Sequence, residues 1–243
     1  MMNRMTEAVK HLIIINVIVF IAVFGFKLGI SDSLALYFPK NDSFGYWQFV
    51  THMFVHGSLM HIVFNMYGLW AFGTPLEQMW GRNKFLFFYF SAGIGAGLIY
   101  TAVNYFQFNS LYEQILAFGV SPDEIRQILE TGVYNENIIT LPQEKMYEFY
   151  STFHTPAVGA SGAVYGVLVA FGMMFPNAKL ALIFFPVPIS AKYFIPLILL
   201  GDLFFGLTSY SVGNIAHFAH IGGALIGFII AWYWKQNQFK RWN

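Results

Sequence analysis

The sequence predicts an all-α polytopic membrane protein, a single bundle of six transmembrane helices with a membrane-associated first outer loop. Three observations carry that prediction. Of the 243 residues, 57% are hydrophobic. Only 10% are charged, against about 25% in ordinary soluble domains. The apolar residues also gather into six runs, at about 11–29, 56–75, 85–105, 158–176, 191–209 and 214–234. Each is near the roughly 20 residues a helix needs to cross a bilayer. All six are expected to form one domain over residues 1–243.

The first run follows Arg4 and Lys10, as the apolar stretch of a signal peptide would. No small-residue cleavage site follows it, so a retained span is expected. Short cytoplasmic loops are enriched in Lys and Arg. Nine cationic residues, Arg4, Lys10, Arg82, Lys84, Lys179, Lys192, Lys235, Lys240 and Arg241, fall on one side if six helices cross; four fall on the other. Both termini are therefore expected in the cytoplasm. The compact form and the lack of targeting extensions point to a bacterial inner (plasma) membrane.

Two outer loops interrupt the pattern. Residues 30–55 mix Tyr37, Phe38, Tyr46, Trp47, Phe49 and Phe54 with polar side chains, which suits the headgroup region. Residues 106–156 form an acidic outer insertion. In it, Ser121-Pro122-Asp123-Glu124 reads as a helix start and Gly132 as a stop. A solvated loop insertion is the plainest reading of the remainder.

The chain has no cysteine. Disulfides, thiolate catalysis and Cys-based zinc sites are thereby excluded. A formal net charge of +1 and no basic stripe exclude a nucleic-acid partner.

Polar residues inside a bilayer are expensive, which makes each a candidate functional group. Charge-derived topology places His61 and Asn65 of the second span, Ser161 at the start of the fourth and His220 of the sixth in the outer half of the membrane, with the sixth entering near Gly213-Asn214. A serine hydroxyl needs a base to become a nucleophile, and neutral His is suited to that role. An acyl-transfer oxyanion needs preset donors, which the Ser161 amide, His61 and Asn65 are placed to supply. His61 and Asn65, four apart, share a helix face. Gly159 and Gly162 permit close backbone approach. Gly162 with Gly166, and Gly223 with Gly227, form small-residue pairs that let membrane helices pack tightly. Tyr165, one turn from Ser161, is placed to pack on the His220 ring. No carboxylate lies at this depth on the second, fourth or sixth span, so a Ser–His dyad is inferred.

Taken singly, each feature has a plainer reading. Gly-x-Ser-Gly is a packing motif and an intramembrane His is a helix–helix hydrogen-bond partner. His56, His217 and His220 raise the question of zinc, but three well-placed ligands are not evident, and neither metal nor cofactor is expected. Asp202 on the fifth span reads either as a proton-relay residue of a small transporter or as a hydrogen-bonding partner. No inverted repeat favours the transporter.

Three stretches together resemble the rhomboid family of intramembrane serine proteases. They are His56-Gly-Ser-Leu-Met-His61-Ile-Val-Phe-Asn65, Gly159-Ala-Ser161-Gly162-Ala-Val-Tyr165-Gly166 and Ala219-His220-Ile-Gly-Gly223-Ala-Leu-Ile-Gly227. Glu77, Gly81 and Phe85 also match the family's pattern. The resemblance implies a serine endopeptidase that cleaves transmembrane segments of other membrane proteins. It implies Ser161 as nucleophile, His220 as general base and acid, and His61, Asn65 and the Ser161 amide as the oxyanion site. Tyr165 would support the His220 ring, His56 would be structural, and Phe64 would lie near a lateral substrate gate. Where many members have Trp-Arg, this chain has Trp47-Gln48. A non-cleaving rhomboid-like pseudoprotease that binds membrane clients is the alternative, although such proteins usually lack the serine or histidine that this chain keeps.

Overall fold

The computed structural model describes residues 5–26, 28–182, 185–208 and 217–240. The expected sixth-span start at Gly213-Asn214 lies outside them. Helix α1 covers Glu7–Phe20 and continues as a π-helical turn over Ile21–Gly25. Two short helices, α2 (Ser31–Leu34) and α3 (Gln48–Thr51), shape the first outer loop. The second apolar run folds as α4 (Leu59–Gly68), a π-helical turn over Leu69–Gly73, and α5 (Thr74–Trp80). Helix α6 runs over Arg82–Ala117, and α7 (Pro122–Thr131) and α8 (Gln143–His154) follow it in the insertion. Next come α9 (Ser161–Met174), the antiparallel hairpin β1 (Lys179–Leu182) and β2 (Phe185–Ser190), α10 (Ala191–Leu207) and α11 (His217–Lys240). By length and composition, Glu7–Gly25, Arg82–Ala117 and His217–Asn237 are each able to cross a membrane, and Ser161–Met174 is a shorter apolar helix.

Glycine sets the central packing. Helices α6, α9 and α11 pack against one another. A Cβ built on Gly223 would stand 1.9 Å from the Gly162 carbonyl oxygen, and one on Gly227 would stand 2.5 Å from the Gly166 Cα. Backbone therefore meets backbone along the α9–α11 seam, which brings two polar faces together inside an apolar bundle. Around them, Leu69, Leu76, Phe85, Phe88, Tyr89 and Val167 form the main core.

Glu77 is buried on α5. Its carboxylate accepts from the Ala8 and Val9 amides at 2.8 and 2.9 Å and from the Thr6 hydroxyl. A buried acid thereby caps the N-terminus of α1, where free amides and the helix dipole favour negative charge.

The insertion is a folded helical cap and not a solvated loop. Its apolar residues, among them Phe108, Ile115, Ile125, Ile128 and Phe149, form a second core with Phe38 of the first outer loop. Helix α6 supplies one wall because it continues well past residue 105; no Gly or Pro stops it before Gly119, which sits at φ 81°. Ser121 and Glu124 form the reciprocal capping box, with Glu124 Oε2 accepting from the Ser121 amide at 2.8 Å. Gly132 closes α7 in the left-handed conformation at φ 72°. Lys40 reaches Asn109 at 2.8 Å, and the Asn41 amide donates to the Phe153 carbonyl at 2.9 Å. The cap and the first outer loop are thus fastened to each other.

Candidate active site

Ser161 is the first residue of α9, and the extended chain before it fixes its position. Leu36 and Ala157 exchange backbone hydrogen bonds of 2.9 and 2.8 Å, and the Gly159 amide donates to the His52 carbonyl at 2.9 Å. These contacts pin the approach to α9 against the first outer loop. Gly159 has φ 119°, and a Cβ there would stand 2.6 Å from His61 Nε2. Glycine is needed twice over, for the backbone angle and for the approach of the His61 ring. The loop itself is stitched by Gln48, which is fully buried; its Oε1 accepts from the Tyr37 amide at 3.1 Å and its Nε2 donates to the Ser43 carbonyl at 2.8 Å.

His220 meets this serine from α11. Its Nε2 lies 2.9 Å from Ser161 Oγ. Tyr165, one turn along α9, stacks on the imidazole with ring centroids 4.2 Å apart and planes within 10°. The ring is thus held on one face by an aromatic and at one edge by the hydroxyl. His217, three residues earlier, points elsewhere: its Nδ1 is 2.6 Å from Asp202 Oδ1.

His61 and Asn65 arrive on α4. The helix starts at Ser58, whose hydroxyl accepts from the His61 amide at 3.2 Å. Asn65 donates from Nδ2 to the His61 carbonyl at 3.1 Å. A Cβ at Gly159 would lie 3.8 Å from Asn65 Nδ2 as well as against His61, so both side chains face the loop two residues before Ser161. The amides of the first turn of α9 have no partner within that helix. His61 and Asn65 thus stand beside Gly159, two residues before Ser161. His56 is buried with its ring 5.0 Å from that of His61, edge to face. Phe64 is half exposed on the outer surface of α4. A small pocket lies beside Ser161, lined by His52, Gly97, Tyr100 and Gly159.

One residue of this cluster was not assigned to it from the sequence. Asp202 of α10 is 7% exposed, and the same Oδ1 that meets His217 lies 3.1 Å from His220 Nδ1. A carboxylate does stand behind the histidine, from α10, the helix of the fifth apolar run. The signal was available. Counted from the outer end of that span, Asp202 sits about two turns in, the depth assigned to His220.

Comparison with known proteins agrees with the motifs. The family model of the Rhomboid domain matches residues 43–122 and 134–237. Rhomboid protein 1, mitochondrial, of Saccharomyces cerevisiae is 27% identical over 74% of this chain and 39% of its own. Presenilin-associated rhomboid-like protein, mitochondrial, of Rattus norvegicus is 28% identical over 74% of this chain and 35% of its own. Rhomboid protease GluP of Bacillus subtilis is 27% identical over 76% of this chain and 25% of its own. The chain thus spans less than half the length of these relatives. With the family model covering most of its residues, and with apolar helices able to cross a membrane, the chain belongs to the rhomboid family of membrane proteins.

Proposed function

We propose that this protein is an intramembrane serine endopeptidase that cleaves transmembrane segments of other membrane proteins. The observation that carries the reading is the 2.9 Å contact between Ser161 Oγ and His220 Nε2. In this reading Ser161 Oγ attacks the scissile carbonyl while its proton passes to His220 Nε2. His61, Asn65 and the Ser161 amide stabilise the oxyanion. The proton on Nε2 then goes to the leaving amine as the C–N bond breaks. A water molecule hydrolyses the acyl-enzyme by the same path in reverse, with His220 as base.

A membrane helix hydrogen-bonds its own backbone, so the substrate must unwind locally to present a carbonyl. Phe64, exposed on α4 beside the site residues of that helix, is proposed to line the substrate gate. All six apolar segments are proposed to span, with both termini and the Lys/Arg-rich loops in the cytoplasm. A bacterial plasma membrane is the proposed compartment; among the relatives, GluP is bacterial, while the yeast and rat proteins are named as mitochondrial.

The test is incubation of the purified protein in proteoliposomes with a model single-span substrate, with the cut mapped by mass spectrometry. The reading expects one cut in or beside the apolar segment and no product with Ser161→Ala. Product formation by Ser161→Ala would defeat it.

A further inference from the structure

Asp202, His217 and His220 form a cluster of which the dyad uses only His220. Three observations define it. One carboxylate oxygen, Asp202 Oδ1, lies 2.6 Å from His217 Nδ1 and 3.1 Å from His220 Nδ1. Asp202 and His217 are each 7% exposed. Among the described residues, the two imidazoles are the only ion-pair partners of Asp202; neither Lys nor Arg reaches it.

We propose that Asp202 is a positioning residue for the base, acting through His220, and that His217 holds the carboxylate in place. The proposal rests on the reading of Ser161 and His220 given above. A carboxylate accepts hydrogen bonds and does not donate them. A 3.1 Å contact to His220 Nδ1 therefore places the proton of the neutral ring on Nδ1. Nε2 is then left with its lone pair, directed at the hydroxyl 2.9 Å away. Without an acceptor at Nδ1 the other tautomer competes, and in it Nε2 cannot take the serine proton.

Charge balance favours the same assignment. While both imidazoles are neutral, the buried cluster carries one uncompensated negative charge. When the Ser161 proton moves to Nε2, His220 becomes cationic, its Nδ1–H stays on Asp202, and the cluster becomes neutral. A buried charge without a partner is costly. The carboxylate thus stabilises the imidazolium as the Oγ–carbon bond forms, and no proton need reach Asp202. His217 donates to the same oxygen from the same helix as His220, which fixes the carboxylate at its correct height. Asp202 is also the contact by which α10 reaches the base. Displacement of α10 from α11 would release the ring, so the geometry of the fifth helix sets the reactivity of a serine on the fourth.

The experiment compares the wild-type chain with Asp202→Asn in proteoliposomes, with kcat and KM measured on the single-span substrate and the rate of fluorophosphonate capture of Ser161 measured separately. Loss of the carboxylate is expected to lower kcat by about 100-fold or more while KM stays within about threefold, and to slow capture of Ser161 in parallel. A kcat for Asp202→Asn within about threefold of wild type would overturn the proposal. Should that variant not fold, Asp202→Ala in added formate serves instead, since formate enters the space left and restores an acceptor to Nδ1. Faster capture of Ser161 with formate supports the assignment; no response overturns it. Abolition of wild-type activity by EDTA and its recovery with Zn²⁺ would also overturn it, in favour of a metal centre on the same three side chains. Inert wild type, with neither cleavage nor capture, would instead defeat the proposed function itself.

Discussion

Gly223 stands where no side chain fits, because a Cβ there would lie 1.9 Å from the Gly162 carbonyl oxygen. The neighbour is backbone and cannot rotate away. Forcing a methyl group into that seam costs about 3 kcal/mol or more and separates α9 from α11, the two helices that carry Ser161 and His220. Gly223→Ala is therefore expected to lose thermal stability and hydrolytic activity together, as read by a melting curve and by substrate cleavage. His52 makes a different prediction. Burial pushes its pKa down to about 4, against an ordinary value near 6.5. Between those values the unfolded chain binds a proton that the folded chain refuses. The contribution is complete above about pH 6.5 and is lost as pH falls toward 4. Replacing His52 with Asn is expected to flatten the fall in melting temperature over that window; an unchanged slope would contradict it.

At the scale of elements, the insertion shows which features a sequence declares. The capping box at Ser121 and the stop at Gly132 were legible because each rests on local chemistry, a hydroxyl and carboxylate three apart and a residue free to adopt positive φ. The far end of α6 was not legible. Hydropathy falls after about residue 105, which reads as the end of a span, yet the helix continues to Ala117 on contacts with the cap. The β1–β2 hairpin was likewise missed, since it joins two spans through a stretch that carries no alternating polar pattern. Ser121→Ala is expected to destabilise α7 by about 1 kcal/mol. Hydrogen exchange should show faster exchange of the first-turn amides of α7, with α9 and α11 unaffected.

For the whole molecule, the motif residues come together because α4 and α11 both pack on α9. Spacing along each helix was visible in the sequence, as i, i+4 for His61 and Asn65 and as glycine pairs on the fourth and sixth spans. What spacing does not declare is which side chain of a distant span turns toward which neighbour. Asp202 had an ordinary plain reading on its own helix, and only the packing of α10 against α11 puts it behind His220. His220, which the resemblance names as base, meets Ser161, while His217 meets Asp202. The proposed orientation has its own test. The chain lacks cysteine, so single cysteines report sidedness without background. A thiol at Glu136, exposed in the insertion, is expected to react with an impermeant maleimide from the face opposite to one at Asn83, exposed in the first turn of α6. Labelling of both from the same face would contradict the proposed topology.

The central claim is that the Ser161 hydroxyl is made nucleophilic by the His220 imidazole. It is tested most directly by peptide-mapped fluorophosphonate labelling of the wild type beside His220→Ala. The account predicts one adduct, on Ser161, in the wild type and none in the variant. No adduct on Ser161, or equal labelling in both proteins, would contradict it.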